Sequence, residues 1–209
     1  MVSRLWLIDA GYLFNARHSV RPGYEFSYLK LRHYLECQGP IWRAYYFNAS
    51  SNPPSDAQDN FHRWLRSGPP YGPKIITQIY PLRQQRADKA YCEECGQKVG
   101  LRCQHQEENG APHRVYNEIQ KGVDVGMAFR ALSLAAYYET LVLSSGDADL
   151  ADVVDYLGSN GKRIELAVFR DGVSSALQCR ADHIYWLNDV ADTLENIRED
   201  ERVSSFEEG

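Results

Sequence analysis

The sequence has no run of eighteen or more apolar residues, which excludes an α-helical membrane span, since crossing the bilayer needs about that length. Met1 to Gly11 has no leader-like apolar core and carries Arg4 and Asp9, so the expectation is a soluble, cytoplasmic protein with no membrane partner. There is no internal repeat and no low-complexity tract, which argues against a solenoid or a disordered chain. Cysteine is scarce: there are five, an odd number with three clustered, which suits metal binding in a reducing compartment better than a disulfide framework. No basic patch stands out, so charge alone does not argue for a polyanionic partner. The net charge is −5, but six acidic and two basic residues between Glu195 and Gly209 hold four of those negative charges. The body is thus close to neutral, and residues 200–209 read as an acidic, disordered tail.

What is present is enough for one sizeable core, 209 residues with 44% hydrophobic content. Leu141 to Leu143 is a short apolar run, after which Ser144 to Asp149 places Asp147 and Asp149 around a glycine turn. Leu150, Val153, Val154 and Leu157 then recur at helical spacing, and Ile164 to Phe169 supplies a second buried strand. The unit reads as βαβ with a parallel pair, and ligands of parallel sheets bind at the carboxyl ends of strands, where Asp147 and Asp149 fall. Leu5 to Ile8 is another such strand, closed by Asp9, Ala10 and Gly11; Asp9 either shares that crevice or only caps the helix that follows.

Between these units the patterning predicts a helix from Tyr28 to near Gly39, a strand at Ile41 to Phe47, a loop at Asn48 to Ser55 and a helix at Ala57 to Leu65. A strand over Lys74 to Leu82 follows, held to a sheet edge by Pro81. The aromatics of this region sit inside apolar runs and read as core in preference to a base-stacking platform. Glu118 to Tyr138 is expected as one long helix with Val123, Met127 and Ala131 on its packed face and Asp124 in its first turn. A short helix at Gly172 to Arg180, a strand at Ile184 to Leu187 and a closing helix complete about six strands alternating with helices. The fold class is α/β, a three-layer α/β/α sandwich with a mostly parallel sheet, and the single domain spans 1–199.

Residues 83–116 break this rhythm. They are polar and hold Cys92, Cys95, Cys103 and His105, spaced C-x2-C-x7-C-x-H, a set suited to one tetrahedral zinc, with His113 as the alternative fourth ligand. A redox role for Cys92 and Cys95 is disfavoured because Glu93 and Glu94 should raise their thiol pKa values. Cys37 and Cys179 read as small core residues.

Four aspartates, Asp9, Asp124, Asp147 and Asp149, are then expected at one crevice. Two unit charges 4 Å apart repel by about 4 kcal/mol at an effective dielectric near 20, so such a cluster implies a cation. Carboxylate oxygens select Mg²⁺ or Mn²⁺ over zinc. A metal so placed lowers the pKa of a bound water and stabilises charge on a phosphodiester, which points to a phosphodiesterase.

At these residues the chain resembles the NYN-domain proteins of the LabA-like group within the PIN-like nuclease superfamily. The resemblance rests on IDAGYLFN at 8–15, KGVDVGMAFRAL at 121–132, SSGDADLADVV at 144–154 followed by GKRIELAVF, and SSALQCRADHIYWL at 174–187. It implies a PIN-like fold and a metal-dependent ribonuclease acting on RNA, single-stranded by expectation, with Asp9, Asp124, Asp147 and Asp149 as metal ligands. Some members of the group carry a cysteine-rich insertion before the KGVD motif, which agrees with the zinc reading. Gly11 and Tyr12 stand where relatives often have asparagine, leaving Asn15 as a substitute partner for Asp9. Lys121 and Ser145 are the expected contacts to a substrate phosphate. The contrasting function is a non-catalytic RNA-binding adaptor that keeps the fold. A haloacid-dehalogenase-type phosphatase is disfavoured, because Gly11 occupies the position of its second aspartate. A homo-oligomer is compatible with the sequence.

Overall fold

The computed structural model describes residues 3–50, 53–101, 103, 113 and 115–196. Its centre is a six-stranded sheet in which every pairing is parallel. The strands are β1 (Arg4–Asp9), β2 (Ile41–Ser50), β3 (Ile76–Pro81), β8 (Thr140–Ser144), β9 (Arg163–Val168) and β10 (His183–Trp186), and their spatial order is β10-β9-β8-β1-β2-β3. The order runs outward in both directions from β1 and β8. Those two neighbours therefore form the point where the winding reverses, and the crossover segments part to leave a crevice beyond their carboxyl ends.

Buried side chains alternate between the two faces, as the period of a strand requires. Trp6, Ile8, Ala44, Tyr46, Val142 and Ala167 pack on one side with residues of α1 (Ala10–Ala16), α2 (Tyr28–Cys37), α3 (Asp56–Arg66) and α7 (Ala191–Leu194). Leu5, Leu7, Tyr45, Phe47, Leu143 and Leu166 pack on the other with α4 (Val123–Ser133), α5 (Ala151–Ser159) and α6 (Ser175–Gln178). The three-layer α/β/α arrangement follows. Pro81 does end a strand at the sheet edge, where its missing N–H interrupts no ladder.

Three expectations are corrected. The helix predicted from Glu118 begins only at Val123, because Gly122 adopts a left-handed φ of 90° and Tyr116–Ile119 is a strand. The loop predicted from Asn48 begins later, since β2 continues to Ser50 alongside β3. Cys37 and Cys179 are exposed, not core.

Between β3 and α4 the described residues form a two-stranded antiparallel stalk, β4 (Arg83–Arg86) against β7 (Tyr116–Ile119). Beyond it β5 (Lys89–Tyr91) and β6 (Lys98–Gly100) form a hairpin whose turn contains Cys92 and Cys95. His105 and the expected tail at 200–209 lie outside the described residues. No helix among the described residues is long and apolar enough to cross a membrane.

Candidate active site

The register between β1 and β8 sets the site. Ile8 stands opposite Ser144, so the residues that follow, Asp9 and Ser145, leave the sheet side by side. Beneath them the buried Trp6 indole N–H donates to Ser144 Oγ at 3.0 Å, pinning the two strands together. Asp9 caps α1, accepting from Tyr12 N at Oδ1 (3.1 Å), while its Oδ2 accepts from Ser145 Oγ at 3.1 Å. The Ser145 hydroxyl in turn accepts from Asp147 N (3.2 Å), and Asp147 Oδ1 accepts from Asp149 N (2.9 Å). A continuous hydrogen-bonded chain thus links Asp9 to Asp149 through Ser145 and Asp147.

Asp124 enters from the first turn of α4, and its position is visible in its proton affinity. Burial pushes its carboxyl above the usual value, and the charges of Asp147 and Asp149 push it further. Asp9 is also raised, chiefly by burial; hydrogen bonds from Tyr12 and Ser145 oppose that, and the charge of Asp124 adds to it. The four aspartates expected from sequence are therefore brought within electrostatic reach of one another, with Asp124 as the hub. Among the described residues, however, no three His, Cys, Asp or Glu side chains close to metal-ligating geometry. The donor set still has the chemistry of a hard-cation site: hard oxygens, carboxyls raised by burial and mutual repulsion, and side chains grading from the buried Asp9 to the exposed Asp149.

Ser145 is fully buried and engaged on both sides, so the expected phosphate contact is corrected to a positioning one. Lys121 is exposed three residues ahead of Asp124, as a phosphate contact requires. Asn15 is exposed on α1 and is not among the partners of Asp9, which are Gly11, Tyr12 and Ser145.

Tyr12 was not singled out from sequence, yet it braces the site. Its phenol donates to Phe169 O at 2.6 Å, and its ring lies against Gly146 and Gly172. A Cβ at Gly146 would fall 2.1 Å from Gly172 O and 2.6 Å from the Tyr12 ring, so only glycine lets the acidic turn dock there. Burial, then the charges of Asp171 and Asp9, raise the Tyr12 phenol well above its ordinary value, so Asp171 is electrostatically coupled to Tyr12. Nothing in the sequence spacing announces Asp171.

In the cysteine hairpin, the N–H groups of Cys95 and Glu94 hydrogen-bond the Cys92 sulfur and lower its thiol pKa, contrary to the effect expected of the flanking glutamates. The turn is closed by Cys92 N to Gln97 O and Gly96 N to Cys92 O, each 2.9 Å, with Gly96 at φ 66°. Cys92 and Cys103 are half-buried and Cys95 is exposed; they are not gathered into a metal-holding group among the described residues.

A parallel doubly wound sheet with acidic residues at its switch point is an architecture of phosphoester-processing and nucleotide-binding proteins. The sequence matches the NYN domain over residues 6–188, and the chain belongs to that family, a branch of the PIN-like nuclease superfamily. Among solved structures, the chain is similar to a protein of unknown function from Vibrio parahaemolyticus RIMD 2210633, with a TM-score of 0.63 at 17% identity over 93% of this chain and 96% of that one. That likeness supports the fold alone. A Sir2 enzyme structure aligns with a TM-score of 0.41 at 9% identity over 97% of this chain and 93% of that one, too low to carry an argument. No functionally curated protein matches the sequence.

Proposed function

We propose that this NYN-domain protein is a divalent-metal-dependent ribonuclease. The observation that carries the reading is the hydrogen-bonded run from Asp9 through Ser145 and Asp147 to Asp149, joined electrostatically by Asp124, at the carboxyl ends of β1 and β8. Asp9, Asp124, Asp147 and Asp149 would hold Mg²⁺ or Mn²⁺, which supplies Lewis acidity and an activated water for phosphodiester hydrolysis. The chain's own residues do the positioning. Ser145 fixes the Asp9 carboxylate, Asp149 N fixes that of Asp147, and the Tyr12 ring holds the two acidic loops at a set spacing. Lys121 offers its charge to a phosphate at the mouth of the crevice. A water activated by the metal would be the nucleophile, so that no covalent intermediate forms.

Labelled single-stranded RNA is the substrate for the test, with Mg²⁺, Mn²⁺ or chelator. The wild type cleaves only with metal, and Asp147→Asn loses at least about 100-fold in rate. Unchanged activity in the metal-replete variant would sink the proposal. The open arrangement of the carboxylates favours one second reading, an RNA-binding adaptor: tight RNA binding insensitive to chelator, without turnover, would select it.

The cysteine hairpin is proposed as a structural zinc site using Cys92, Cys95 and Cys103, with His105 or His113 as fourth ligand. Its support is the turn, whose backbone N–H groups already favour the Cys92 thiolate.

A further inference from the structure

Beside the carboxylates the fold leaves a cavity of about 630 Å³. Its walls are aromatic, and the rings concerned were expected in the core. These rings do pack in or against the core, and they also border an open space with the volume of a small-molecule site. Phe61 stacks on Trp64 with centroids 5.8 Å apart and planes at 29°, and it lies 6.0 Å from both Tyr28 and Tyr46. On the opposite wall Phe14 is 57% exposed, with the Arg17 guanidinium 3.8 Å above its ring.

The cavity adjoins Asp9 through its backbone neighbours. Ala10 and Gly11, which line it, directly follow Asp9, and Asn48, also lining it, lies one residue beyond the strand partner of Asp9, Phe47. The Asp9 charge is felt at the Tyr28 and Tyr46 phenols. The cavity thus lies beside Asp9, the most buried of the four carboxylates.

Flat rings favour a flat occupant. Arg17 adds a cation whose Nε is buried without a hydrogen-bond partner, while Glu25 also lines the cavity, so the stacking surface more than net charge selects the occupant. A planar group attached to an anion meets the rings and the Arg17 donor, and Asn48, whose Oδ1 accepts from Ala49 N and whose Nδ2 donates to the Tyr46 hydroxyl, has one amide N–H left for the edge of a base. A base within a duplex is stacked and paired and cannot present its face there, whereas an unpaired one can.

We infer that this cavity is a stacking subsite for an unpaired nucleobase of an RNA strand whose backbone crosses the Asp9–Asp147 crevice. The inference rests on the ribonuclease reading for its substrate, but binding tests it without turnover. The measurement is fluorescence anisotropy of a labelled single-stranded oligouridylate with the full chain in chelator. Phe14→Ala and Phe61→Leu each weaken binding roughly 5- to 150-fold, the range of one lost base stack. A base-free ribose-phosphate oligomer of equal charge binds the wild type weaker by a similar factor, and Phe14→Ala no longer changes its affinity. Phe14 is exposed enough that its removal leaves the fold intact, checked by an unchanged melting temperature. Wild-type affinity in both folded variants overturns the inference. So does uridine monophosphate binding as tightly as the oligomer, which would make this a mononucleotide site. Asp147→Asn, which loses cleavage but keeps the aromatic-dependent binding, separates the two proposals: absent cleavage in the wild type defeats the nuclease alone, and indifference to Phe14 and Phe61 defeats the subsite alone.

Discussion

Asp124 is held in the folded protein at a cost, because burial and the charges of Asp147 and Asp149 all disfavour its ionised form. The sign of the pH dependence follows. With the folded value above the ordinary 3.8, the folded state binds the proton more readily, so stability falls as pH rises past that value and stays reduced above the raised one. Asp124→Asn should therefore melt higher than wild type at neutral pH without metal. The gain is at most about 1 kcal/mol, because the site opens to solvent and the repulsion is screened. The difference should shrink as pH falls through the carboxylate range, and Mg²⁺ or Mn²⁺ should raise the wild-type melting temperature more than that of the variant. Thermal denaturation against pH and metal checks all three. Ser145 makes a different case: Ser145→Ala leaves Asp9 Oδ2 without its buried donor, costing about 1–3 kcal/mol, and should lower kcat more than it raises KM, as a positioning residue does. Asp9, Asp147 and Asp149 were legible at this scale because they follow apolar runs, and Asp124 because it opens the helix of the KGVD motif. Ser145's inward turn and Asp171's proximity were not, because they depend on which strands are neighbours.

Elements meet at glycines here, and two of them behave differently. At Gly146 an added Cβ would strike the backbone oxygen of Gly172 at 2.1 Å, and backbone cannot step aside. At Gly126 the obstacle is the far end of Tyr80, whose Oη would lie 1.9 Å away, and a ring can move. Gly146→Ala should cost about 1–3 kcal/mol and impair cleavage, whereas Gly126→Ala should cost less, since alanine's better helix propensity in α4 returns up to about 1 kcal/mol. Chemical denaturation of both variants tests the contrast. The cysteine hairpin is a second such element. Protein purified without chelator should contain about one zinc per chain by elemental analysis, and Cys92→Ser should lose it while the six-stranded sheet stays folded by circular dichroism. The C-x2-C spacing marked the turn; the direction of the Cys92 pKa was not readable, because backbone N–H groups outweigh the neighbouring glutamates.

Across the whole molecule, the opposite end of the sheet is locked by a charge pair far apart in sequence. Arg4 and Glu165 are 3% and 5% exposed, joined by a hydrogen bond, and Arg4 also donates to the carbonyls of Leu35 and Gly39 at the end of α2. Arg4→Ala would leave the buried Glu165 carboxylate with only Arg163, an exposed partner at 3.0 Å, and the Tyr185 hydroxyl, and would remove the link between β1, β9 and α2, a loss of about 3 kcal/mol measurable by denaturant unfolding. Glu165→Gln should cost less, since an amide oxygen still accepts from Arg4.

By itself the sequence determined the class of fold, because apolar runs of strand length alternating with helical periodicity admit few layered solutions, and it located three aspartates after strands and Asp124 in the first turn of a helix. It also marked the insertion by its loss of periodicity. Only the tertiary structure decided that β1 and β8 are neighbours, which is what brings Asp9 against Ser145 and Asp147. It likewise decided that part of the aromatic content lines a cavity as well as packing on the core. Period and hydrophobicity report whether a side chain turns inward, but not whether a neighbouring element fills the space it faces; that depends on the packing of α1 and α3 across β2, residues distant along the chain.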